Sequence, residues 1–287
     1  MSSSTTATTP IFKTEDLPQE PVARLIAVMT ALRDPVGGCP WDLKQDFTSL
    51  AKYTLEEAYE VVEAVEKQDF NALRDELGDL LLQIVFYGQM GREAGHFDFM
   101  AIATTLTDKL IRRHPHVFGD EQIASAEAMT ERWESDKAKE RAEKSANLTP
   151  AVISALDGIT STLPALTRCQ KLVQRATRVG FDWDEPADVF PKLQEEIAEL
   201  AAELPELDHG RMTDELGDVL FTVVCLAHKL KIDPETALRR ANVKFERRFK
   251  GMELLLESKI AQNNSILLPE WESAWQEIKA QERSATD

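Results

Sequence analysis

Cysteine is scarce in this chain. Its three residues, Cys39, Cys169 and Cys225, are far apart and fall in no paired motif, which excludes a disulfide framework and a cysteine-rich zinc site. Glycine and proline are also few, at 12 and 13 of 287 residues. Alanine, leucine and glutamate dominate instead, which points away from turn-rich all-β folds and towards helix. The longest apolar runs, 80–87 and 219–227, are too short to cross a bilayer. Basic residues are outnumbered, 33 against 50 acidic, for a net charge of −17. That balance argues against non-specific binding to nucleic acid or an anionic membrane. It also means that an anionic ligand would need a cation to bind here.

With 43% apolar residues there is enough material for real cores, so a disordered chain is excluded. The start, MSSSTTATTP, has neither the basic beginning nor the apolar centre of a signal peptide; it reads as a disordered tail over 1–20 of a cytoplasmic protein.

Beyond the tail, one set of motifs occurs twice in the same order. Gly38-Cys-Pro-Trp41-Asp42, Leu-Glu-Glu57-Ala-Tyr-Glu60 and Asp-Glu76-Leu-Gly-Asp79 are matched by Gly180-Phe-Asp-Trp183-Asp184, Gln-Glu-Glu196-Ile-Ala-Glu199 and Asp-Glu215-Leu-Gly-Asp218. Lys109…Arg113 is matched by Lys244…Arg248, and Trp133…Lys137 by Trp275…Lys279. The separation between copies drifts only between 135 and 142 residues, so the chain is a duplication with loops of unequal length. The polar stretch from Lys137 to about Pro150 is the natural hinge. The expected domains are 21–146 and 161–287, with a linker over 147–160.

Apolar spacing predicts helices at about 21–33, 48–67, 70–94, 98–113 and 125–145, and again at 163–178, 186–204, 211–231, 234–259 and 269–283. Asp98, Ser125 and Asp233-Pro234 are the start signals. No stretch alternates with period two, so no sheet is expected and the fold class is all-α, two tandem helical bundles.

In each half one helix carries Glu-x-x-Glu and the next carries Glu-x-x-Asp. Residues at i and i+3 share a helix face, and the intervening residues suffice to bring the second helix back antiparallel. Glu57, Glu60, Glu76 and Asp79 can then converge, as can Glu196, Glu199, Glu215 and Asp218. Without a counter-charge such clusters repel themselves. An oxygen-only donor set suits Mg²⁺, with Mn²⁺ as substitute, better than zinc or copper.

A solvated helix face is the plainer reading of any single Glu-x-x-Glu. For Glu57 a capping box with Thr54 is another, although Leu193, at the matching place, cannot cap. Glu76/Asp79 and Glu215/Asp218 lead into helices apolar nearly all round, expected to be buried.

Lys109 with Arg113, and Lys244 with Arg248, lie at i, i+4 and suit phosphate oxygens; cations at a helix C-terminus are the alternative. Trp133/Lys137 and Trp275/Lys279 repeat that spacing, with tryptophan stacking on a base or anchoring a helix. Lys192 and Arg211, each four residues before an acid, reach phosphate or pair with the acids. Trp41 and Trp183 read as core anchors. His114-Pro-His116 has no second copy, and His96, His209 and His228 read as structural.

Together LEEAYE, ELGDLL, GCPWD, RRHPHVF and KFERRF resemble the MazG family of nucleoside triphosphate pyrophosphohydrolases, over residues 22 to 283. The resemblance implies two all-α NTP pyrophosphatase domains, homodimers, and hydrolysis of nucleoside triphosphates, canonical or noncanonical, to NMP and pyrophosphate in nucleotide-pool control. It places the metal ligands on the eight acids above, the nucleotide contacts on Lys244, Arg248, Trp275 and Lys279, and the main activity in the second half. Glu196 or Glu199 would activate water. Two other readings stay open: a helical regulatory module with structural Mg²⁺, or a pyrophosphatase narrowed to dUTP or phosphoribosyl-ATP.

Overall fold

The structure is a computed structural model that describes residues 12–125, 128, 129, 132, 133, 135, 136, 154–205, 207–261 and 265–284. The chain forms two compact units, Met1–Asp136 and Lys137–Asp287. Among the described residues there is helix and no strand.

Among the described residues the first unit has the helices α1 (Pro21–Leu32), the short α2 (Pro40–Leu43), α3 (Phe47–Lys67), α4 (Phe70–Glu93) and α5 (Phe99–Arg113), followed by one turn, α6 (Pro115–Phe118). Each long helix starts on an acidic side chain that accepts from its free N–H groups. Glu20 caps α1, Asp69 caps α4 and Asp98 caps α5, while Asp46 forms a reciprocal box with Ser49 on α3. Gln68 ends α3 in the left-handed region, at φ 56°. Gln68 and Asp69 alone separate α3 from α4, a connection so short that the two helices run antiparallel.

Met29, Leu50, Val85, Phe86 and Met90 form the core of this unit, with Leu25, Ile26, Tyr53 and Phe99 packed around them. Each fully buried side chain of this kind contributes about 1.5–3 kcal/mol. Gly88 lets α5 approach α4: a Cβ there would lie 2.9 Å from the backbone nitrogen of Phe99.

The second unit repeats the plan with α7 (Ala165–Thr177), α8 (Val189–Glu203), α9 (His209–Lys229), α10 (Pro234–Leu255), the short α11 (Glu257–Ala261) and α12 (Leu268–Ser284). Asp208 caps α9, and Asp233 caps α10 ahead of Pro234 at the first helical position. The packing is α8 on α9, α7 on α9 and α10, and α12 on α10. Val173, Val189, Val224 and Cys225 make the core.

Two expectations need correcting. The helices after the Glu-x-x-Asp motifs are not buried all round. Leu77, Leu81 and Ile84 on α4, and Leu216, Leu220 and Val223 on α9, are between 38% and 50% exposed. A helix packed on neighbours along one side buries one stripe, here Val85, Phe86 and Met90 or Val224 and Cys225, and leaves the other open. Trp41 is likewise no core anchor. It is 52% exposed and meets Tyr53 at a tilted 5.8 Å, because α2 ends in a surface loop. Trp183 does pack on the core of its unit.

Candidate metal centres and basic clusters

The tight α3–α4 turn sets the register of the acids. Glu60 precedes Gln68 by eight residues and Glu76 follows Asp69 by seven; Glu57 and Asp79 lie eleven and ten away on the same two arms. Antiparallel arms therefore bring Glu60 to Glu76 and Glu57 to Asp79. Carboxylate oxygens of Glu57, Glu76 and Asp79 lie within 4.8 Å of one another, and Glu60 shares a side-chain hydrogen bond with Glu76. In the second unit carboxylate oxygens of Glu196, Glu215 and Asp218 likewise lie within 4.8 Å of one another, and Glu199 acts electrostatically on Glu215. Each unit thus has a three-carboxylate cup with a fourth acid beside it.

Thr54 lies inside α3, which begins at Phe47, and its hydroxyl donates to the Leu50 carbonyl at 3.2 Å. It caps nothing, so the capping alternative for Glu57 falls away.

The cups hold more negative charge than they neutralise. Burial, then Asp79, Glu60, Glu76 and Glu56, push the Glu57 carboxyl above its ordinary value. Burial and then Glu60 and Asp79 do the same to Glu76. Burial and then Glu199, Asp218, Glu196 and Glu203 raise Glu215. These groups fit a hard divalent cation. Oxygens bound to Mg²⁺ at about 2.0–2.1 Å are about 3–4 Å apart, which lies inside the 4.8 Å that spans each set of three.

The basic residues divide. Lys192 does lie at its cup, with Nζ 2.8 Å from Glu196 and 2.9 Å from Glu195. Arg211 pairs with Glu203 at 3.5 Å and Asp208 at 3.9 Å. Arg248 does not meet the acids of the cup: it donates to Glu282 at 2.8 Å and lies 5.2 Å over the Trp275 ring. Glu282 also takes Arg247 at 2.6 Å. Both arginines hold the Glu282 carboxyl below its usual range. Lys244, one turn before Arg248, is exposed, and Lys279, one turn after Trp275, is half-buried. Phe245 flanks Trp275 at 5.8 Å.

In the first unit Lys109 and Arg113 are half-buried near the end of α5. Trp133 meets His114 edge-on at 5.5 Å, and His116 lies 5.6 Å from His114. The His114 Nδ1 is 2.6 Å from the Leu110 carbonyl, which makes His114 the terminator of α5. Lys137 lies outside the described residues.

Two anchors have no signature in the motif pattern. Arg33 holds the loop before α3, donating to the carbonyls of Asp42 at 2.6 Å and Gln45 at 3.3 Å while clamping Glu93. Lys229 holds the matching loop before α8, donating to the Trp183 carbonyl at 2.5 Å and to Asp182 at 2.9 Å. They lie at unrelated places in the two halves, which is why repeat matching passes over them.

The MazG nucleotide pyrophosphohydrolase domain family matches residues 45–118 and 185–252. Those stretches contain both cups and the pairs Lys109/Arg113 and Lys244/Arg248, while Trp275 and Lys279 lie beyond them. The chain is 45% identical over 263 residues to the nucleoside triphosphate pyrophosphohydrolase of Escherichia coli K12, covering 91% of this chain and 98% of that one. It is 39% identical over 255 residues to the nucleoside triphosphate pyrophosphohydrolase/pyrophosphatase MazG of Thermotoga maritima, covering 89% and 94%. A nucleoside triphosphate pyrophosphohydrolase of Mycobacterium tuberculosis is 38% identical over 168 residues, 58% of this chain and 46% of that one. With both duplicated cups inside the matched stretches, the chain belongs to the MazG nucleotide pyrophosphohydrolase family of enzymes.

Proposed function

We propose that the protein hydrolyses nucleoside triphosphates to nucleoside monophosphate and pyrophosphate with Mg²⁺, and that Mn²⁺ can substitute. The observation that carries this reading is the register of the α8–α9 pair, which gathers Glu196, Glu215 and Asp218 within 4.8 Å. A divalent cation held there would bind the triphosphate and withdraw charge from its phosphorus. Glu196, Glu215 and Asp218 serve as its ligands. Glu199 is exposed and outside the triad, which supports it as the group that orients a water and takes its proton. The water oxygen bonds to the α-phosphorus, the bond from that phosphorus to the bridging oxygen breaks, and pyrophosphate leaves with the electron pair.

Lys192, Arg211, Lys244, Arg248 and Lys279 supply positive charge for the polyphosphate. Trp275 offers a ring face to the base. Stacking reads a π-surface rather than a base edge, which supports a broad range of canonical and noncanonical substrates and a role in nucleotide-pool control. In the first half Lys109, Arg113, Trp133 and Lys137 are the sequence counterparts of Lys244, Arg248, Trp275 and Lys279. The open apolar stripes of α4 and α9 support a homodimer in which a second copy covers them. The acidic balance supports a protein that takes nucleotides rather than nucleic acid. Among the described residues no helix is long and apolar enough to cross a membrane.

Phosphorus NMR of a reaction with ATP and Mg²⁺ tests the bond cleaved. AMP and pyrophosphate are expected. ADP with orthophosphate, or no turnover across a panel of canonical and damaged triphosphates, would overturn the proposal. The latter result would favour the regulatory module with bound Mg²⁺.

A further inference from the structure

The two cups share their acids but not their counter-charge. Lys192 stands four residues before Glu196, and the residue four before Glu57 is Tyr53. In the second cup the Lys192 ammonium lies 2.8 Å from Glu196, whose side chain is only 7% exposed. In the first cup the carboxylates of Asp79, Glu60, Glu76 and Glu56 act on Glu57, and among the described residues Tyr53 stands where the second cup has Lys192. Lys52, the nearest lysine in sequence, lies over the Tyr53 ring at 4.6 Å. Arg211 adds little net charge to the second cup, because Glu203 accompanies it at 3.5 Å. Among the described residues, the difference between the cups is therefore one tethered cation at Glu196.

We propose that Lys192 is a built-in counter-ion that makes the second cup the weaker site for a free divalent metal ion and the first cup the tighter one. The second cup then fills with metal carried on the nucleotide, while the first holds a resident ion. This rests on the proposal that the cups bind metal. The physical reason is direct repulsion: an ammonium a few ångströms from a divalent ion disfavours it, and the triphosphate's own negative charge removes that penalty when metal and nucleotide arrive together. A lysine 40% exposed has room to turn from Glu196 towards that phosphate.

Manganese titration followed by electron paramagnetic resonance, on the full chain without nucleotide, tests this. The wild type should show two classes of site. The Glu57→Gln, Asp79→Asn double variant should lose the tight one. Lys192→Met should tighten the weak class roughly tenfold, the effect of one charge on a divalent ion across several ångströms of largely solvated space. Lys192→Arg, which keeps the charge, should leave both classes as in the wild type. With an NTP present the advantage of Lys192→Met should vanish. One class of site in the wild type, or no tightening in Lys192→Met, would overturn the inference and leave the metal cups standing. No manganese bound at all would overturn the cups themselves.

Discussion

Replacing Arg33 by methionine should destabilise the first unit by about 2–3 kcal/mol. The Arg33 side chain is 10% exposed. Its Nε lies 2.9 and 3.0 Å from the two oxygens of Glu93, Nη2 lies 2.6 Å from one of them, and Nη1 holds the Asp42 and Gln45 carbonyls. The guanidinium also lies 5.3 Å over the Phe86 ring, so methionine keeps the apolar contact and removes the charge. Breaking a buried pair from one side costs about 3–5 kcal/mol. Glu93 is 36% exposed and keeps the Gln89 amide at 2.8 Å, so solvent and Gln89 offset part of that, to about 2–3 kcal/mol.

Arg33 is the leading cause that holds the Glu93 carboxyl below its ordinary value. A depressed carboxylate gives stability that is present above its unfolded value and lost as pH falls through its folded one. The deficit of Arg33→Met should therefore be full at neutral pH and fade in acid, below the ordinary glutamate value of 4.5. Urea unfolding followed by circular dichroism reads the shift in the first unit's transition. Arg33→Met with Glu93→Met should be more stable than Arg33→Met alone, since no charge is left without its partner. An Arg33→Met variant within about 0.5 kcal/mol of wild type, the range of an ordinary surface change, would refute a structural role for the clamp. A double variant that is the worse of the two would refute it equally.

Gly88→Ala should cost about 1–3 kcal/mol by overpacking, because the new Cβ would meet the Phe99 backbone at 2.9 Å; a melting curve unchanged from wild type would contradict this. Glu57, Glu76 and Glu215 are raised above 4.5 by burial first and then by one another. For raised carboxyls the sign reverses: their contribution is present below the unfolded value and lost as pH rises through the folded one. Mg²⁺ should therefore raise the melting temperature at pH 7.5 and lose that effect as pH falls towards 4.5, and calorimetry at several pH values checks the slope. Burial pushes the thiols of Cys169 and Cys225 up to about 11, and Cys225 also borders an apolar cavity of about 300 Å³. Both should resist a thiol-directed disulfide reagent at pH 7.5, with mass spectrometry finding modification confined to Cys39.

Most of the helical plan was legible because the caps are spelled out in the sequence: Asp98 accepts from the Ala101 N–H at 2.8 Å and Asp233 from Thr236 at 2.7 Å. The cups were legible because the i, i+3 spacing and a short turn leave the acids few places to go. What was not legible depends on which face of a helix finds a neighbour. Periodicity made α4 and α9 look wholly buried, yet Leu81 and Leu220 face outwards. Trp41 was misplaced for the same reason, since hydrophobicity alone does not say which loop folds under. Arg248 lies over the Trp275 ring, but Glu282, which orients the guanidinium, has no motif to announce it. Thr54 cannot cap because Asp46 and Ser49 start α3 two turns earlier.

The account stands most directly on the carboxylates of the second cup. Pyrophosphate release from ATP and a set of damaged triphosphates, with Mg²⁺, should be measured for the wild type, Glu196→Gln, Glu215→Gln and Glu57→Gln, each first shown by circular dichroism to be folded. Loss of a metal ligand should lower kcat/KM by a hundredfold or more in Glu196→Gln and Glu215→Gln, an effect of about 2.7 kcal/mol on the barrier. Glu57→Gln should retain most of the activity. Full turnover in Glu196→Gln would contradict the assignment of the chemistry to the second cup.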